Sequence, residues 1–140
     1  VTHLDAETIE YAHRMFDLAR DGATGELAAQ VDAGLPANLT NDKGDTLLIL
    51  AAYHNHPDTV AALVRRGADP ERVNDRGQSA LAAAVFRKNA DTVRILLDAG
   101  ADPASALPTA EFFGLHEMVE LMGRHPGAPS ARSEEVSRPR

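Results

Sequence analysis

The densest grouping of chemistry-bearing side chains is His54-Asn55-His56-Pro57-Asp58, two imidazoles and a carboxylate within five residues. Imidazole nitrogen and carboxylate oxygen are zinc ligands, so the run admits a metal-dependent function at His54, His56 and Asp58. The competing reading is structural, because Asp58 stands where a helix begins. The other His residues are scattered along the chain. Carboxylates are numerous, but Asp42, Asp58, Asp69, Asp75, Asp91 and Asp102 recur at matching positions of a repeat. Recurrence at one structural position points to caps and turns rather than to a unique acid–base pair. No Walker loop, dinucleotide glycine fingerprint or Gly-x-Ser-x-Gly elbow is present. The absence of Cys removes disulfides, thiolate catalysis and cysteine-ligated metals. Asn38-Leu39-Thr40 has the form of a glycosylation sequon, which has meaning only on a secretory route. The expectation is a protein that is not an enzyme, with no cofactor and no bound metal.

Charge narrows the partners. The 140 residues carry a formal charge of -7. Residues 1–124 hold 11 Lys and Arg against 19 Asp and Glu, because Arg132, Arg138 and Arg140 lie beyond them with Glu134 and Glu135. An acidic body repels phosphates and anionic lipid and is drawn to a basic partner surface. Apolar runs are short and Val1-Thr2-His3-Leu4-Asp5 has no signal pattern, so the expectation is a cytoplasmic chain with no nucleic acid or membrane partner.

The elements that must position these residues come from a repeat. Residues 41–73 slide without a gap onto 74–106, a shift of 33 positions. Asn41/Asn74, Gly44/Gly77, Leu48/Leu81, Ala51/Ala84, Asp58/Asp91, Val60/Val93, Leu63/Leu96 and Gly67/Gly100 coincide, with Asp69/Asp102 and Pro70/Pro103 after them. Each unit reads as turn, helix, turn, helix, turn. Thr46 and Ser79 precede apolar-periodic runs, where a hydroxyl caps free amides. Asp58 and Asp91 are expected to cap a second helix, along which Val60, Leu63 and Val64 (Val93, Leu96 and Leu97 in the next unit) form an apolar stripe. Gly67 and Gly100 stop it, a left-handed position that suits Gly. Helices this short cannot bury their stripes alone, so the units must stack. The 25 Ala residues fit close stacking, and aromatics are only 4%.

The frame extends both ways. Leu27, Ala28, Ala29, Val31 and Gly34 fall on Val60, Ala61, Ala62, Val64 and Gly67, behind a longer charged helix over about 6–20. At the other end Ala110–Val119 matches Ala51–Val60 with seven residues missing ahead of it, a capping unit without its long loop. Residues 125–140 lack an apolar period and are expected to be a disordered tail.

At this period, Asn74-Asp75-Arg76-Gly77-Gln78-Ser79-Ala80-Leu81, Ala83-Ala84-Val85 and Ile95-Leu96-Leu97-Asp98-Ala99-Gly100-Ala101-Asp102, repeated around Asn41 and Asp69, resemble an ankyrin-repeat protein. The resemblance covers about residues 5–124. It implies an all-α solenoid of about four helix-turn-helix units, at about 5–40, 41–73, 74–106 and 107–124, in one domain over 1–124. Two departures are visible. The family's Thr-Pro-Leu-His appears as Thr46-Leu47-Leu48-Ile49 and Ser79-Ala80-Leu81-Ala82, and its inter-helix Gly is Asn55 and Lys88. His56 occupies a position where the family pattern itself commonly has His.

The resemblance implies protein binding through loop tips and the concave face of the first helices. The residues before the inter-helix turns are Arg20-Asp21, Tyr53-His54, Phe86-Arg87 and Phe112-Phe113. Stacking would set Tyr53, Phe86 and Phe112 in a row, which either binds a partner or seals the stack. Loop tips offer Thr40, Asp42, Lys43 and Asp45, then Val73, Asp75, Arg76 and Gln78. The expected function is a monomeric interaction module docking one protein partner. The alternative is a stabilising or regulatory accessory of an enzyme such as a stress-related oxidoreductase.

Overall fold

A computed structural model describes residues 6–125, so the expected tail lies outside the described residues except for His125. Eight α-helices are present among them: α1 Ala6–Asp21, α2 Thr24–Asp32, α3 Leu47–Tyr53, α4 Pro57–Arg65, α5 Ala80–Phe86, α6 Ala90–Asp98, α7 Leu107–Phe112 and α8 His116–Arg124. One 3₁₀ turn, Pro103–Ser105, stands in place of the long loop before α7. The described residues hold no ladder of strands, only isolated bridges joining Thr40 to Thr46 and Val73 to Ser79. No helix among them is long and apolar enough to cross a membrane.

Helix starts follow local chemistry. Thr46 Oγ1 accepts from the Ile49 amide at 3.0 Å, and Ser79 Oγ accepts from the Ala82 amide at 3.1 Å. The second helices correct the sequence expectation. The residue before α4 is His56, with Pro57 in the first turn, and the cap of α6 is Asn89, whose side chain accepts from the Thr92 amide. Asp58 and Asp91 instead lie inside the first turn, where a carboxylate faces the positive end of the helix dipole. Gly67 and Gly100 close α4 and α6 at φ of 93° and 98°, and the amides of Ala68 and Ala101 donate back to Leu63 and Leu96.

The helices pair as α1–α2, α3–α4, α5–α6 and α7–α8, and the pairs stack. First helices form one row, α1 on α3 on α5 on α7, and second helices another, α2 on α4 on α6 on α8. The core lies between the rows: Leu27, Leu47, Leu81, Val60, Val93 and Leu96 are fully buried among Ala19, Ala51, Ala84, Ala106 and Ala110. Burying a Leu or Val contributes about 2 kcal/mol, and Ala at the crossings lets successive layers approach closely enough to exclude water. This is an all-α repeat solenoid.

Hydrogen bonds tie each layer to the next. Thr24 and Thr59 share a hydroxyl–hydroxyl bond of 2.6 Å, Arg66 holds Asp32 at 2.9 Å, and the Asp69 amide donates to Asn38. Asn74 is the chief brace. Its Oδ1 accepts from the Arg76 and Gln78 amides, and its Nδ2 donates to Asp45 of the preceding turn.

Candidate functional site

The four inter-helix turns need a residue in the left-handed region, and the chain supplies Gly22, Asn55, Lys88 and Gly114, at φ of 73°, 65°, 59° and 65°. The residues just before them stand at matching places in successive layers, at the ends of α1, α3, α5 and α7.

Tyr53 and Phe86 stack with ring planes 5° apart and centroids 6.3 Å apart. The row then differs from the sequence alignment. Phe86 meets Phe113, not Phe112, edge-on at 5.2 Å, and Phe112 packs edge-on against Phe113 at 4.9 Å. The last helix pair follows a shortened connection, so alignment fixes which residues match but not which ring reaches its neighbour. Tyr53 and Phe86 are 42% and 41% exposed, Phe113 52% and Phe112 82%. Four of the six aromatic rings thus lie on one surface edge; only Phe16 among the six is fully inside.

Charged groups flank the ladder. The Arg87 guanidinium lies over the Tyr53 ring, 5.3 Å from its centroid, reaching back one layer. Arg20 pairs with Asp17 at 2.9 Å, and Asp21 is exposed beside it. His54 stands edge-on to Tyr53 at 5.2 Å. Its pKa is lowered, first by burial and then by the positive charge of Arg20, His56 and Arg87, with Asp21 pulling the other way. The residue as a whole is exposed at the surface, with the Tyr53 ring against one side of its imidazole.

His56 is committed elsewhere. Its Nε2 donates to the Arg20 carbonyl at 2.6 Å, and its ring packs so closely on Gly22 that a Cβ there would lie 2.5 Å from Nδ1. That bond fixes the end of α1 to the start of α4. Among the described residues no group of three or more His, Cys, Asp or Glu side chains is placed to hold a metal ion, so His54, His56 and Asp58 do not converge.

The loop-tip candidates form a second cluster, at the opposite ends of the first helices. Asn41 Oδ1 accepts from the Lys43 and Asp45 amides, repeating the Asn74 brace, and the Asp75 amide donates to the Lys43 carbonyl. Asp45 and Gln78 both accept from Asn74 Nδ2, at 2.9 and 3.1 Å, so their side chains brace the turns. Asp42, Lys43, Asp75 and Arg76 remain exposed at the tips.

The chain is 56% identical over 57 residues to the ankyrin repeat protein PA3287 of Pseudomonas aeruginosa. The match covers 41% of this chain and 33% of that one, so it spans about a third of the relative's length. The sequence profile of ankyrin repeats, in three copies, matches residues 16–106. Ankyrin repeats are generally protein–protein interaction modules, and the family is typically non-enzymatic. The 33-residue period, the capped helix pairs and their stepwise stacking agree with that match, and the chain belongs to the ankyrin-repeat family.

Proposed function

We propose that this chain is a non-enzymatic module that docks one protein partner along the edge formed by its first helices, with the exposed loop tips as secondary contacts. The binding unit in this reading is residues 1–124. The observation that carries it is the ladder of Tyr53, Phe86, Phe113 and Phe112, which leaves four large rings 41–82% exposed on one edge while the core is built mainly from Ala, Leu and Val. Aromatic anchors supply a large share of interface energy, and the ring area left in water contributes nothing to the stability of the free protein. In this reading the layers are closed by the small side chains Ala51, Ala84 and Ala110 together with Val85, all fully buried, and the rings serve the partner. Four layers spaced about 8–10 Å apart make a strip of roughly 30–40 Å. That length suits a single interface of about 800 Å² per partner. The chain binds as a monomer in this reading.

The test is a Tyr53→Ala, Phe86→Ala double variant against a partner recovered by pull-down from cell extract. Binding weakens by about tenfold or more while the melting temperature stays nearly unchanged. A large fall in melting temperature with binding retained would assign the rings to sealing instead.

A further inference from the structure

Two cations stand beside the ladder without a carboxylate among the described residues. Arg87 has the Tyr53 ring as its neighbour, and Lys88 follows it at the turn. The nearby Asp91, which lines the same shallow depression, is paired with Arg94 at 3.2 Å. Lys88 also holds a left-handed backbone at φ 59°, where the matching turns have Gly22, Asn55 and Gly114. A long side chain with a Cβ is a costly choice at that φ, and strain of this kind concentrates where a side chain serves binding.

We propose that the partner segment seated on this edge is acidic: a peptide stretch whose apolar side chains rest on Tyr53, Phe86 and Phe113 while interleaved Asp or Glu side chains pair with Arg87 and Lys88. This rests on the reading that the ladder is the docking surface. Ring spacings of 6.3 and 5.2 Å match side chains two apart on a strand or one turn apart on a helix. The acidic body as a whole favours a basic partner, but that preference acts at long range. At physiological salt the Debye length is about 8 Å, so carboxylates across the molecule are screened while a carboxylate touching Arg87 is not. Contact charge decides at this edge, and between Tyr53 and Phe86 it comes from Arg87 and Lys88, with the exposed Asp21 at the end of the preceding first helix.

The experiment selects phage-displayed random peptides of about 12 residues on the full 140-residue chain. Enriched sequences are expected to interleave apolar and acidic residues. Their affinity is expected to fall about tenfold or more for an Arg87→Glu, Lys88→Glu variant and to recover partly when their acids are exchanged for Lys. Lys88→Gly separates binding from folding: it relieves the left-handed strain, so the melting temperature rises while peptide affinity drops. Peptides that require Phe86 but are neutral or basic overturn the acidic assignment and leave the docking surface standing. Peptides indifferent to both Phe86→Ala and charge reversal, or no enrichment at all, overturn both.

Discussion

The Thr24–Thr59 hydroxyl pair joins α2 to α4, and one period further on the same position is Thr92. Thr92 is fully buried and its Oγ1 has no hydrogen-bond partner among the described residues. A buried hydroxyl without a partner costs about 1–3 kcal/mol, whereas an apolar group of the same shape costs nothing comparable. Thr92→Val is therefore expected to stabilise the chain by about 1 kcal/mol in urea denaturation. Unchanged or lower stability would mean the hydroxyl is satisfied after all. His54 makes a second test at this scale. Burial, then Arg20, His56 and Arg87, disfavour its imidazolium, so the folded pKa lies below the ordinary 6.5. The unfolded chain binds a proton near pH 6.5 that the folded chain still resists, so stability declines as pH drops below that value and levels off past the folded pKa. A proton NMR titration should place the His54 midpoint below 6.5, and Arg87→Ala should move it upward. A midpoint at or above 6.5 would show that Asp21 outweighs burial and the three neighbouring cations together.

The loop-tip turns before α3 and α5 show where one element meets the next. Gly44 and Gly77 hold the same place in successive turns, at φ of 79° and 75°, yet their surroundings differ. A Cβ on Gly44 would lie 2.9 Å from the Asp75 backbone nitrogen, whose amide donates to Lys43; a Cβ on Gly77 meets nothing within 4 Å. Gly77→Ala carries only the left-handed strain of about 1 kcal/mol. Gly44→Ala also pushes two turns apart and should cost a further 1–3 kcal/mol or so, measured as the difference between the two variants in chemical denaturation. Equal losses would show that the turns are not mechanically joined. Much at this scale was legible in the sequence. The 33-residue period located both helix rows, Thr46 and Ser79 declared their caps, and Gly67 and Gly100 declared the stops. Asp58 and Asp91 misled because an acid before an apolar run suits a cap and a first-turn position alike. Pro57 and Ala90 start the helices earlier, leaving the cap position to His56 and Asn89. The ladder was legible as matching residues, but the contact between Phe86 and Phe113 was not, since ring direction in the last layer depends on how the shortened loop seats α7.

Across the whole molecule, each layer touches only its neighbours, so stability is close to a sum of layer terms and interface terms. The middle and the end of such a stack should then respond differently to equal injuries. Leu81 is fully buried in α5, which packs against α3, α6 and α7; Met122 is fully buried in α8, which packs against α6 and α7 at the end of the described chain. Truncating either to Ala creates a cavity worth about 2–5 kcal/mol. For Met122→Ala that loss falls on the last interface, and α7 with α8 can open while the layers before them stay closed. For Leu81→Ala it falls on a layer with neighbours on both sides, so opening there separates the stack into pieces that each lose an interface. Amide hydrogen exchange distinguishes the two: Met122→Ala should lower protection in α7 and α8 and spare α3 and α4, whereas Leu81→Ala should lower it from α3 through α8. Uniform loss of protection in the Met122 variant would show instead that the layers open as one cooperative unit. In that case the aromatic ladder, which crosses the α5–α7 interface through Phe86 and Phe113, could not lose its last ring without the entire chain unfolding.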